Sequence, residues 1–112
     1  MRTNFQMTDQ NITMVSGDTL SFNVILKDQN GDPITADTAN FRASREESIG
    51  ILEIDLSLSN GKITQDDGML IVRMPPSDTS NLVGFFYYDM GVGFGNDYYT
   101  ILRGMLQIEE DV

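Results

Sequence analysis

Thr19-Leu20-Ser21-Phe22-Asn23-Val24-Ile25-Leu26-Lys27 is followed by Asp28-Gln29-Asn30-Gly31-Asp32-Pro33. Leu20, Phe22, Val24 and Leu26 alternate with polar residues. A period of two places them on one face of a strand and leaves the other face wet. Asn30-Gly31 tolerates the positive φ of a tight turn, and Pro33 has no N–H to continue a ladder. The stretch therefore reads as a half-buried strand ended by a turn. Ile25 breaks the polar face and suggests a partner or a covering loop there.

The same pattern recurs outward from this strand. Residues 3–8 read as an extended arm or first strand, and Ile12 to Val15 as a short strand closed by Ser16-Gly17-Asp18. Ala39 to Glu46 alternates with Phe41 and Ala43 inward and Asn40, Arg42 and Ser44 outward. Glu46-Glu47-Ser48 marks a turn. Ile51 to Leu58 alternates cleanly, with Leu52, Ile54, Leu56 and Leu58 on one face, until Ser59-Asn60-Gly61 breaks it. Lys62 to Thr64 and Met69 to Met74 flank Asp66-Asp67-Gly68, a hairpin signal, with Leu70, Val72 and Met74 as the inner set. Pro75-Pro76 ends that strand, and Ser77 or Asp78 is expected to cap one helical turn reaching Leu82. Phe85 to Val92 is aromatic and β-prone. Gly93-Phe94-Gly95-Asn96 reads as a loop and Asp97 to Ile108 as the last long strand. Seven or eight short strands with regular turn signals imply an all-β, immunoglobulin-like antiparallel β-sandwich.

The chain has 112 residues, the size of one domain, and a domain of this size buries roughly 65% of its unfolded surface. Residues 1–10 are read as the arm or first strand and residues 11–112 as the single sandwich domain. Cysteine and histidine are both absent. That removes disulfides, thiolate metal sites, the commonest general base and the Ser-His-Asp arrangement. The net charge of −10 repels phosphate backbones, so no nucleic-acid partner is expected. The N-terminus has no apolar signal segment and no stretch is long enough to span a membrane, which predicts folding in a cytosol. In that compartment the sequon Asn11-Ile12-Thr13 would stay unused.

Three features carry possible chemistry. Asp28 to Asp32 is oxygen-rich, as a calcium loop is. It lacks the flanking helices and the late glutamate of that motif, and a hairpin turn accounts for the same residues. Gly91-Val92-Gly93-Phe94-Gly95 has the glycines of a phosphate loop, but they separate two strands and do not open a helix. Phe94 at its tip either folds back onto the core or meets a partner. Phe85, Phe86, Tyr87 and Tyr88, with Tyr98 and Tyr99, put aromatics on both faces of one hairpin. One face is core. The other suits a subunit interface, an overlying N-terminal arm or a carbohydrate platform. The candidate interface residues are Ile25, Phe85, Tyr87, Phe94 and Tyr99. Glu53 and Asp55 share a strand face in the manner of plain solvation. Arg42, Arg73 and Arg103 are expected to pair with strand-face acids. No catalytic residue, cofactor or metal ligand is expected.

Two stretches together resemble a known family. Gly17-Asp18-Thr19-Leu20-Ser21-Phe22-Asn23-Val24, with Lys27-Asp28 and Asn30-Gly31-Asp32-Pro33-Ile34, resembles the opening of immunoglobulin-like domains in tailed-bacteriophage virion proteins. The N-terminal domain of baseplate upper proteins is one example. Pro76-Ser77-Asp78-Thr79-Ser80-Asn81-Leu82, Tyr87-Tyr88-Asp89 and Thr100-Ile101-Leu102-Arg103-Gly104 are similar to the later half of that domain type. Residues 35–67 match no signature. The resemblance implies a non-catalytic structural protein of the tail, baseplate, neck or capsid, made in the bacterial cytoplasm and incorporated into the virion. Its implied partners are other virion proteins, with a homo-oligomer expected. A carbohydrate- or host-surface-binding sandwich is the alternative.

Overall fold

A computed structural model describes residues 8–45 and 51–111. These residues form nine strands: β1 Thr8–Asp9, β2 Ile12–Val15, β3 Leu20–Ile25, β4 Thr38–Ser44, β5 Ile54–Ser57, β6 Ile63–Asp66, β7 Met69–Met74, β8 Gly84–Phe94 and β9 Asp97–Glu109. One sheet has six strands in the order β1-β9-β8-β4-β5, with β2 also on β9. The other has three, β3-β7-β6. A first strand docked on the last, beside the order last–eighth–fourth–fifth, over a three-strand sheet, is the arrangement of an immunoglobulin-like sandwich. The expected fold class is therefore observed.

The core lies between the sheets. Phe41, Leu56, Leu70, Val72, Met74, Phe86, Met90, Val92 and Leu106 are all fully buried in it. Leu70, Val72 and Met74 are the inner set of β7, as the alternation implies. Phe41 stacks on Tyr88 at 5.0 Å between ring centroids and meets Phe22 edge-on at 6.0 Å, tying the sheets together.

Several details depart from the sequence pattern. β1 and β2 run parallel to β9, with Thr8 opposite Leu102 and Ile12 opposite Leu106, so the sandwich is not purely antiparallel. The offset is the same on both sides of Gln10-Asn11, which makes the pair one strand interrupted by a local bend. Leu52 and Ile51 precede β5 and are exposed, because the pairing with β4 begins only at Ile54. Ser44 follows the outward parity of β4 but is buried. The helical turn is a 3-10 turn at Pro76–Asp78 whose N-cap is Pro75, with no side-chain cap. Asp78 instead receives two bonds from Lys62 Nζ, at 2.9 and 3.0 Å. Met1 to Met7 and the Glu46-Glu47-Ser48 turn lie outside the described residues.

Turn chemistry explains the connections. Asp67 and Gly68 both have positive φ, +48° and +80°, and join β6 to β7 as a two-residue hairpin. The loop between β8 and β9 shrinks to Gly95-Asn96, because Phe94 already pairs with Asp97. Asp37 Oδ2 accepts the Gly95 N–H at 2.6 Å and holds that turn. In the Asp28–Asp32 turn, Asp28 Oδ1 accepts the N–H groups of Asn30 and Asp32 at 2.9 and 3.0 Å. The carboxylate thus closes its own loop. After one bridged pair, Lys27 with Pro33, the chain crosses to the other sheet. Ile34 and Ala36 are buried on the way.

Candidate functional site

The outer face of the six-stranded sheet gathers most of the unexplained side chains. Cross-strand neighbours share a face, so the register identifies its members. Asp9 lies opposite Arg103, Arg103 opposite Asp89, Asp89 opposite Arg42 and Arg42 opposite Asp55. One row of alternating sign therefore crosses β1, β9, β8, β4 and β5. Within it Arg42 Nη2 reaches Asp89 Oδ1 at 3.2 Å and Arg103 Nε reaches Asp9 Oδ1 at 3.1 Å. Both pairs are solvent-accessible, so each stabilises the fold only slightly. Arg73, expected to join such a pair, makes no ion pair among the described residues and is exposed on β7.

On one side of the row Tyr87 neighbours Met105, and beyond them Phe85 neighbours Gln107. Phe85 is 59% exposed and Tyr87 38%. On the other side Gly91 neighbours Thr100 and Gly93 neighbours Tyr98. A Cβ on Gly91 would collide with the Tyr98 ring, so the glycine gives that half-exposed ring a flat seat. A shallow, open depression of about 480 Å³ is lined by Asp9, Asn11, Tyr87, Asp89, Arg103 and Met105.

A β-bulge builds this face. Met90 pairs with Leu102 and Gly91 with Thr100, leaving Ile101 as the extra residue of β9. The bulge turns Leu102, Gly104, Leu106 and Ile108 inward and sends Arg103, Met105 and Gln107 outward with Tyr98 and Thr100. At Gly104 an added Cβ would strike the Gln10 carbonyl, so only glycine lets the bent β1–β2 segment lie this close. Gln10 accepts the Tyr88 hydroxyl at 2.5 Å and Asn11 Oδ1 accepts the Met105 N–H at 3.1 Å, which locks the bend. Burial first, and then the nearby Asp9 charge, pushes the Tyr88 phenol up to about 12.

The five sequence-derived interface candidates separate. Phe85 and Tyr87 come together on this face. Ile25 is 66% exposed on β3, in the opposite sheet, beside an edge groove that Thr8 and Leu102 also line. Phe94 and Tyr99 are half-buried, pack against the core and meet each other at 6.3 Å. Phe94 thus folds back. Met105 and Tyr98 complete the apolar part of the face. Read from the hairpin, the parity of Met105 depends on the bulge, which the register with β8 locates. Glu53 and Asp55 are both exposed, Asp55 as the end of the charge row. Among the described residues there is no group of three or more Asp, Glu, His or Cys placed to hold a metal ion.

No family model matches the chain. No curated protein matches it. Among solved structures, an endo-fucoidan hydrolase variant from glycoside hydrolase family 107 is similar over 95% of this chain, with a TM-score of 0.48 and 11% identity. The chain spans only 13% of that enzyme.

Proposed function

We propose that this protein is a non-catalytic structural component of a bacteriophage virion, in the tail, baseplate, neck or capsid, acting by protein–protein assembly. The virion assignment is supported by the resemblance of residues 17–34 and 76–104 to virion immunoglobulin-like domains. The assembly role is carried by one observation: Phe85, Tyr87 and Tyr98 stand exposed on an outer sheet face whose charge row nearly cancels, on a chain of net charge −10. Aromatic side chains with little net charge are what interface centres favour.

Mass spectrometry of particles purified from a host carrying the gene tests the reading. The chain is expected in the particles, and Tyr87→Glu is expected to exclude it while leaving the circular dichroism spectrum unchanged. Absence of the wild-type chain from purified particles overturns the assignment.

A second reading, a carbohydrate- or host-surface-binding module, draws on the depression beside Tyr87. There a half-exposed ring stands next to Asp9, Asn11, Asp89 and Arg103, a mixture of stacking surface, donors and acceptors. Binding of multivalent protein to a glycan array, lost in Tyr87→Ala, supports it. A blank array removes it.

A further inference from the structure

The charge row on the outer face has a pattern that selects among partners. Across β1, β9, β8, β4 and β5 it reads Asp9, Arg103, Asp89, Arg42, Asp55. A uniformly basic surface laid on it would oppose two guanidiniums, and a uniformly acidic one would oppose three carboxylates. The complement is another alternating row, and this chain carries one. We propose that the face docks a second copy of the same chain, face to face about a two-fold axis lying along the strands between β8 and β9. The proposal rests on the assembly reading above and names its partner.

The position of the axis follows from charge. An axis through Asp89 along the strands would set Arg103 against the partner's Arg42 and Asp89 against its own counterpart, like against like throughout. A shift of half a strand spacing, about 2.4 Å, reverses every contact. Arg103 then faces the partner's Asp89, and Asp9 faces the partner's Arg42, each twice by symmetry. A shift the other way, between β8 and β4, would also match charges but would place Tyr87 over the partner's Ser44. Between β8 and β9 Tyr87 instead meets the partner's Met105, because the two are register neighbours at one height. Sulfur–aromatic contact favours that choice.

Size and charge are adequate. Across that axis β8 faces the partner's β9 and β4 faces its β1–β2 edge, while β5 overhangs; the 37 residues of these strands, at about 3.4 Å rise and about 4.8 Å spacing, cover roughly 600 Å² per copy, at the lower end of stable interfaces. Three carboxylates against two guanidiniums leave the row one charge from neutral. The remaining acids lie largely off the contact, where a Debye length of about 8 Å screens them at physiological salt.

Sedimentation of the full chain at physiological salt tests the pairing by charge exchange. The wild type is expected to dimerise with rising concentration. Asp89→Arg and Arg103→Asp are each expected to weaken self-association at least about tenfold, since each sets like charges in contact. An equimolar mixture of the two variants is expected to regain the dimer, because the introduced charges then meet opposite partners. Tyr87→Glu leaves the row intact and is expected to abolish the dimer. Circular dichroism establishes that each variant is folded. If Asp89→Arg fails to fold, Asp9→Arg mixed with Arg42→Asp makes the same exchange at the outer pair. A wild type that stays monomeric, variants that dimerise as well as it does, or a mixture that stays monomeric each overturn the pairing. A monomeric chain that still enters virions overturns the pairing and leaves the assembly reading standing. A dimer absent from virions does the reverse.

Discussion

The Tyr88 hydroxyl donates to the Gln10 carbonyl at 2.5 Å while its ring stacks on Phe41 at 5.0 Å. One side chain thus joins the N-terminal strand to the centre of the core. Tyr88→Phe keeps the stack and deprives a carbonyl of its donor. A loss of about 1–2 kcal/mol is expected in urea denaturation. The phenol also makes stability depend on pH. Its folded value, about 12, lies above the ordinary 10. The folded state therefore holds this proton more tightly than the unfolded chain does. The associated stability is complete below pH 10 and is lost as pH rises from 10 to 12. Phenolate absorbance should show one tyrosine titrating toward pH 12, and Tyr88→Phe should abolish that component. None of this is legible locally. Tyr88 is inward by alternation, but its acceptor lies 78 positions away.

Strands were legible wherever one face is buried and the other wet, since burial of alternate side chains is itself the signal. β7 and the Asp67-Gly68 hairpin follow from residue types alone. The bulge at Ile101 leaves only a slight mark, the adjacent apolar pair Ile101-Leu102 between outward Thr100 and Arg103, and the pairing with β8 is what identifies it. Turns also differ by what lies above them. Gly31 and Gly68 share nearly the same backbone, φ +83° and +80°, but a Cβ at Gly31 meets nothing while one at Gly68 collides with Pro33. Gly31→Ala is expected to cost about 1–2 kcal/mol, the left-handed penalty alone. Gly68→Ala is expected to cost clearly more, measured side by side by thermal unfolding. Equal losses would mean that the Asp28–Pro33 turn moves aside freely.

At one end of the sandwich the two sheets are joined by contacts that no single element contains. Near the start of β3, Ser16 Oγ donates to the Thr79 carbonyl at 2.7 Å, and the Gly17 N–H donates to Thr79 Oγ1 at 3.1 Å. Thr79 is fully buried. Thr79→Val keeps the shape and removes the acceptor, leaving an amide unpaired. A loss of about 1–3 kcal/mol is expected, with Thr79→Ser retaining most of the stability. The clasp links the turn after β2 to the loop before β8, so weakening it should speed hydrogen exchange in both segments together.

Composition and alternation by themselves determined an all-β sandwich, its inner residues on β3, β4 and β7, and its hairpin turns. These depend on side-chain period and backbone preference, which neighbouring residues decide. They also marked Phe85 and Tyr87 as surplus aromatics. Only the tertiary structure decided that Ile25 lies on the other sheet, that Phe94 and Tyr99 turn inward, and that Asp9, Arg103, Asp89, Arg42 and Asp55 form one row. Those placements depend on strand order and on a bulge, and both are set by how the whole chain closes around its core.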